Sequence, residues 1–155
     1  MKAGIESSPI VPMVERLAQY RAGLAVGELR ITRCRECGTN EFPPRAACAC
    51  CGAPGPAEWI TSSGRGRVWS FVVFHKRYLS DPAPRPPYNV AVVQLVEGPK
   101  LITNIVGIAD SDIRVDMPVE AVFDRHGDTV VVRFRPSTPA GPTADTPASE
   151  QNPSR

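Results

Sequence analysis

The residues best suited to chemistry in this 155-residue chain are its cysteines. All five lie between positions 34 and 51. Cys34-Arg35-Glu36-Cys37-Gly38 opens the stretch, ten residues (38–47) separate Cys37 from Cys48, and Cys48-Ala49-Cys50-Cys51-Gly52 closes it. Two C-x-x-C-G knuckles can place four thiolates, those of Cys34, Cys37, Cys48 and Cys51, at the corners of a tetrahedron around one ion, with Zn–S distances of about 2.3 Å. Zinc is the expected metal, and iron suits the same four-sulfur donor set. A chain that turns sharply after its second sulfur ligand needs a residue tolerant of positive φ, and Gly38 and Gly52 stand at those two places. The interval between the knuckles is shorter than in the usual double C-x-x-C pattern, so a small ribbon is expected rather than a treble-clef module. The competing reading is a disulfide pair or idle buried thiols. It is weakened by the first residues, Met1 to Met13, where Lys2 and Glu6 stand in a segment with no long apolar run. Neither a signal peptide nor a membrane span is expected there, and the expected location is the reducing cytoplasm. Cys50 adjoins Cys51 and would strain a shared site, so it is expected to be a bystander. A redox role for it would need a lowered pKa, and nothing near it in sequence besides Arg45 would supply one.

Other chemistry is thin. The two histidines are His75, next to Lys76 and Arg77, and His126, in a turn. There is no G-x-S-x-G, no phosphate-binding P-loop and no G-x-G-x-x-G opening a helix, and Gly64-Arg65-Gly66 alone signifies little. An autonomous enzyme is therefore not expected. A net charge of +2 does not by itself call for nucleic acid.

The elements that must position the cysteines follow from pattern. Pro9 and Pro12 suit a helix entry. From Pro12 to about Val26, Met13, Leu17, Tyr20 and Leu24 recur at steps of four and three, which puts them on one helical face, and Gly27 ends the helix. That face either covers the chain's own core or docks on another subunit. Glu28 to Arg33 alternates and leads into Cys34 as a strand. Phe42-Pro43-Pro44 turns the chain between the knuckles. Ala53-Pro54-Gly55-Pro56 is a hinge. Beyond it five runs, 66–78, 88–96, 100–106, 119–124 and 129–135, read as strands. The second and third are joined by a hairpin at Glu97-Gly98-Pro99, and the last two by one at Arg125 to Asp128. Trp69, Phe71 and Phe74 fall in the apolar middle of the first run and are expected in the core. Five strands with a break at 107–118 match a five-stranded OB-fold barrel, and the absence of a clear helix in that break leaves room for another small barrel or an open sheet. From Ser137 to Arg155 no aromatic and no aliphatic larger than alanine occurs, so a disordered tail is expected. The expected organisation is mainly β: an N-terminal helical segment (1–27), a zinc ribbon (28–56), an OB-fold (57–136) and the tail (137–155).

An OB barrel with a zinc ribbon suits single-stranded nucleic acid when aromatic platforms line a basic groove. Trp69, Phe71, Phe74 and Tyr78, with Arg65, Arg67, Lys76 and Arg77, are the groups that could build one, but core rings cannot serve as platforms. The ordered string Gly-Glu-Leu-Arg-Ile-x-Arg-Cys-x-x-Cys-Gly, Phe-Pro-Pro-Arg, Cys-x-x-Cys-Gly, Glu-Trp, Ser-Gly-x-Gly-x-Val-x-Ser-Phe, Pro-Tyr-Asn-Val-Ala-Val-Val and Met-Pro-Val-Glu-Ala-Val-Phe is more specific. Over about Pro12 to Pro136 it resembles the acyl-CoA-associated zinc-ribbon/OB-fold family. The resemblance implies a rubredoxin-like ribbon ligated by Cys34, Cys37, Cys48 and Cys51. It also implies a hetero-oligomeric accessory role beside a thiolase-like or lipid-transfer-protein-like subunit that performs the chemistry on an acyl-CoA, including aldol cleavage in steroid and lipid side-chain degradation. The clusters available for the phosphates of CoA are Arg65 with Arg67 and His75 with Lys76 and Arg77. Solvated turn and edge charges are the competing reading of both.

Overall fold

The computed structural model describes residues 17–54, 57–78 and 85–137. The first part of the expected helix and the tail after Ser137 lie outside them. Helix α1 is Ala18–Ala25. The backbone N–H groups of Val26 and Gly27 close it on the carbonyls of Gly23 and Leu24. Leu24 is buried, and the Tyr20 ring meets Phe42 at a centroid distance of 4.9 Å. Over these residues the apolar stripe is thus used within the chain, against the ribbon and the far side of the barrel. No helix among the described residues is long and apolar enough to cross a membrane.

Strands β1 (Arg30–Arg33), β2 (Asn40–Glu41) and β3 (Glu58–Thr61) form a small antiparallel sheet in the order β2-β1-β3. Strands β4 (Arg65–Phe74), β5 (Tyr88–Leu95), β6 (Lys100–Thr103), β7 (Pro118–His126) and β8 (Thr129–Pro136) form a second sheet in the order β6-β5-β4-β7-β8. A parallel bridge between Ile105 and Phe134 brings the two edge strands together, so the sheet is a nearly closed barrel of OB type. The segment between β6 and β7 holds a 3-10 turn at Asp110–Asp112, and the next residue, Ile113, is buried in the core.

The two sheets share one interior. Leu29 and Ile31, at the start of the ribbon, are 1 % and 0 % exposed and cluster with Val68, Val93, Val119 and Phe134 of the barrel. Strand β3 lies beyond the proline hinge yet pairs with β1 over four residues, Arg30 to Thr61 through Arg33 to Glu58. Where β4 crosses β5, a Cβ on Gly66 would lie 2.5 Å from the Gln94 carbonyl oxygen, so this strand tolerates no side chain there.

One expectation about β4 is corrected. Trp69 is 52 % exposed, and Phe74 is only partly covered. Phe71 does pack on the core. The pairing of β4 with β5 slips between Val68 and Ser70, and such a bulge reverses the alternation of the residues after it. Trp69 faces outward by the alternation that buries Gly66 and Val68, and the slip after it leaves Ser70 outward as well and turns Phe71 inward.

Candidate metal centre

Two hydrogen-bond rings of the same design build the site. In the first knuckle the Gly38 N–H donates to the Cys34 carbonyl and the Cys34 N–H to that of Thr39. In the second, Gly52 N–H donates to Cys48 and Cys48 N–H to Ala53. Both turns need a left-handed residue, and Gly38 and Gly52 supply it at φ 72° and 73°. The sheet then presents the knuckles to each other. Glu41, on β2, accepts the Ala49 N–H at 2.6 Å through its carboxylate, and the Thr32 hydroxyl donates to the Glu41 carbonyl at 3.0 Å.

The result is four sulfurs, those of Cys34, Cys37, Cys48 and Cys51, all within 4.8 Å of one another. Cys34 and Cys51 stand 3.7 Å apart and Cys37 and Cys48 3.6 Å. A tetrahedron with metal–sulfur bonds of about 2.3 Å has edges of about 3.8 Å, so the donor set fits one tetrahedral ion. Four thiolates this close would repel one another without a cation among them. The Thr39 hydroxyl, 3.2 Å from the sulfur, and the Thr39 N–H hold Cys37 down to about 6. The Ala53 N–H acts in the same sense on Cys51, but the neighbouring sulfur of Cys37, burial, and the sulfurs of Cys34 and Cys48 outweigh it and push that thiol up to about 12. A divalent ion removes that conflict by stabilising all four thiolates at once. Cys50 is exposed and stands outside the group, its N–H directed at the Cys48 sulfur.

A second construction fastens the ribbon to the barrel. The Asn40 side chain donates to the Glu97 carbonyl at 2.9 Å, while the Glu97 carboxylate accepts from the Ser62 hydroxyl at 2.9 Å and the Ser63 N–H at 2.7 Å. Burial opposes the charge on Glu97, but the donors of Ser63 and Ser62 prevail and hold its carboxyl below its ordinary value of 4.5. A group with a lowered folded-state pKa contributes stability that is complete above the unfolded value and is lost as pH falls through the folded one. Glu97→Gln is therefore expected to lose on the order of 1 kcal/mol at pH 7, reduced by the partial exposure of the pair. Urea titrations of the two proteins should converge as pH drops below about 4; a gap that persists at low pH would show that the charge is not the cause. Thr39, Glu41 and Glu97 went unread in the sequence, since each acts through a partner set by folding.

The candidate CoA cations do not converge. Arg65 and Arg67 stand at the start of β4, with Arg67 donating to the Asp116 carbonyl, whereas His75, Lys76 and Arg77 follow its end. At about 3.3 Å per residue the two clusters are roughly 30 Å apart, too far to hold the same phosphate. His126 lies 3.4 Å from an Arg133 nitrogen on the far hairpin, remote in register from His75.

Comparison with known proteins agrees with this geometry. Residues 21–57 match the family described as ChsH2, rubredoxin-like zinc ribbon domain, and residues 59–124 match ChsH2, C-terminal OB-fold domain. A probable enoyl-CoA hydratase alpha subunit of Thermomonospora curvata is 39 % identical over 114 residues, which cover 72 % of this chain and 34 % of that protein. The chain thus spans about a third of the length of that relative. A DUF35 domain-containing scaffold protein of Methanocaldococcus jannaschii is 36 % identical over 105 residues, covering 66 % of this chain and 74 % of the relative. Among solved structures, one named Ltp2-ChsH2(DUF35) aldolase superposes with a TM-score of 0.71 at 33 % identity, covering 83 % of this chain and 98 % of that one.

Proposed function

This chain belongs to the DUF35 family, in the ChsH2-type arrangement of zinc ribbon and OB-fold, and from that premise we propose that it is a non-catalytic accessory subunit of a thiolase-superfamily enzyme acting on CoA thioesters. The reaction we assign to the complex is retro-aldol cleavage of a β-hydroxyacyl-CoA, such as a steroid or lipid side-chain intermediate, with thiolysis or acyl condensation as the neighbouring cases. The observation that carries the reading is the likeness to a chain of the Ltp2-ChsH2(DUF35) aldolase, a name that joins two components and of whose matched chain 98 % is covered. The scaffold in the name of the archaeal relative supports an organising role, and the hydratase relative supports CoA-thioester chemistry.

In this reading Cys34, Cys37, Cys48 and Cys51 hold zinc in a closed structural site, which shapes the ribbon and leaves no open coordination position for substrate. His75 and His126 stand on separate surfaces, so neither is placed to serve the other as orienter or base. The contribution of the chain is positional. A rigid ribbon fused to a barrel orders the loops of a thiolase-like partner around its acyl-CoA, and good positioning alone can supply several kcal/mol of barrier lowering. Arg65 and Arg67 at one end of β4 and His75, Lys76 and Arg77 at the other are then surface groups, one set of which can meet the phosphates of partner-bound CoA.

The test is reconstitution. The thiolase-like subunit from the same genome is assayed for cleavage of a β-hydroxyacyl-CoA with and without this chain. A complex on size exclusion and activity dependent on both components are expected; equal activity in both mixtures with no complex overturns the reading. One observation favours a second reading. On the outer face of the barrel, which OB-folds use for oligonucleotides, Trp69 is half exposed with the Lys100 ammonium 3.4 Å from its ring centroid. Tight, salt-sensitive binding of single-stranded DNA or RNA would promote it.

A further inference from the structure

The barrel core is filled from one side of strands β4, β5 and β6: Val68, Ala91, Val93, Leu95 and Leu101 are all buried. The other side forms cross-strand rows. Arg67, Gln94 and Lys100 make the first, Ser70, Val92 and Ile102 the second, Val72 and Val90 the third, and Phe74 and Tyr88 the fourth. Ile102 is 79 % exposed and Val72 47 %. The face is thus cationic at one end and apolar over the rest, and Trp69, beneath Lys100, lies at the junction. Exposed aliphatic rows of this kind, ending on an edge strand, are an aggregation hazard unless something covers them.

We infer that this face is the surface through which the chain docks on its partner subunit, and that the partner meets it with an apolar patch bordered by carboxylates. The inference rests on the accessory-subunit reading and adds the place of contact. Charge complementarity indicates the border: β4, β5 and β6 carry Arg65, Arg67 and Lys100 and no Asp or Glu. Composition argues against two other occupants. Val72, Val90, Val92 and Ile102 have no π-face on which a base could stack, the rings of Tyr78, Phe74 and Tyr88 are already engaged with one another at 5.3 to 5.4 Å, and Trp69 has the Lys100 ammonium 3.4 Å from its centroid, so no row of free rings is left for successive bases. Residues 138–155 hold no aliphatic larger than alanine and so offer nothing to bury against the face.

The experiment titrates the purified thiolase-like subunit from the same genome with the full chain by calorimetry, at two salt concentrations. Ile102→Asp is expected to weaken binding about 30-fold or more, as a central contact does. Lys100→Glu is expected to weaken it about 10-fold and flatten its salt dependence. Val26→Asp, at an exposed site beyond the end of α1, serves as the control and is expected to bind as the wild type does. Wild-type binding with Ile102→Asp binding equally overturns the assignment of this face and leaves the accessory role standing. Absence of wild-type binding overturns both. Three further results assign the face to another occupant and overturn the inference. The first is a fall of more than several degrees in the melting temperature of isolated Ile102→Asp, which would mean that residues 1–16 cover it. The second is a wild-type dimer that this variant dissociates, and the third is single-stranded nucleic acid binding that it abolishes.

Discussion

Cys34→Ser is expected to take the chain from one bound metal to none and to lower the melting temperature of the whole protein, not of the ribbon alone, by more than about 10 °C. A structural zinc site contributes on the order of 10 kcal/mol of binding free energy, comparable with the entire stability of an ordinary domain, and the apo ribbon has little else to hold it. Its sheet has three strands of two to four residues, and around the knuckles few residues besides Cys34, Pro44 and Cys48 are buried. Loss of the metal therefore frees β1. Leu29 and Ile31, just before and within that strand, lie in the barrel cluster, so unfolding of the ribbon opens the barrel core as well. Elemental analysis and circular dichroism check the two halves separately. Retention of one metal per chain by the variant would remove Cys34 from the ligand set, and an unchanged barrel transition would show that the shared core contributes little. Cys50→Ser, outside the sulfur cluster, is expected to keep both the metal and the melting temperature.

What was legible in the sequence was local. The knuckles could be read because a tetrahedral site with two bites constrains residues only three apart. The positive φ at Gly38 and Gly52 followed from the turn each bite requires. The hairpins at Gly98 and Gly127 announced themselves in the same way, and with them the strand grouping of an OB barrel. The helix could be followed as far as Tyr20 and Leu24, which do lie on a covered face.

What was not legible depends on pairing between distant residues. The inward turn of Phe71, after the outward Trp69 and Ser70, follows from a slip against β5, some two dozen residues away, and no feature of the run Arg65 to Phe74 alone fixes where the alternation reverses. The carboxylate of Glu97 looks like a hairpin residue until Ser62, Ser63 and Asn40 close around it. The two cation clusters look like neighbours on paper because ten strand residues separate them by little in sequence, whereas an extended strand carries them to opposite ends of the barrel. Ion ligation, in short, is written in spacing, while ligand surfaces are written in register.

Phe134→Ala is expected to cost about 3–5 kcal/mol, a large part of the stability of a domain this size. Phe134 is fully buried, and it stands where the sheet closes. Its N–H donates to the Asn104 carbonyl, its carbonyl accepts the Val106 N–H at 2.8 Å, and it bridges Ile105 in parallel while pairing with Ala121 on β7. Truncation leaves those backbone bonds in place but opens a cavity among Ile105, Val119 and the ribbon's Leu29 and Ile31, which a barrel held on both sides cannot collapse to fill. The metal centre is untouched, so the variant is expected to hold one metal under native conditions. It is expected to release that metal at the same lowered denaturant concentration at which the barrel unfolds. Metal release followed with a chromophoric chelator, alongside circular dichroism, measures both. Coincident midpoints well below the wild-type value are the expected result, because Leu29 and Ile31 tie the two sheets into one cooperative unit. Two separated transitions, with metal kept past the loss of the barrel, would mean that the ribbon stands on its own and that the effect expected of Cys34→Ser should be confined to it.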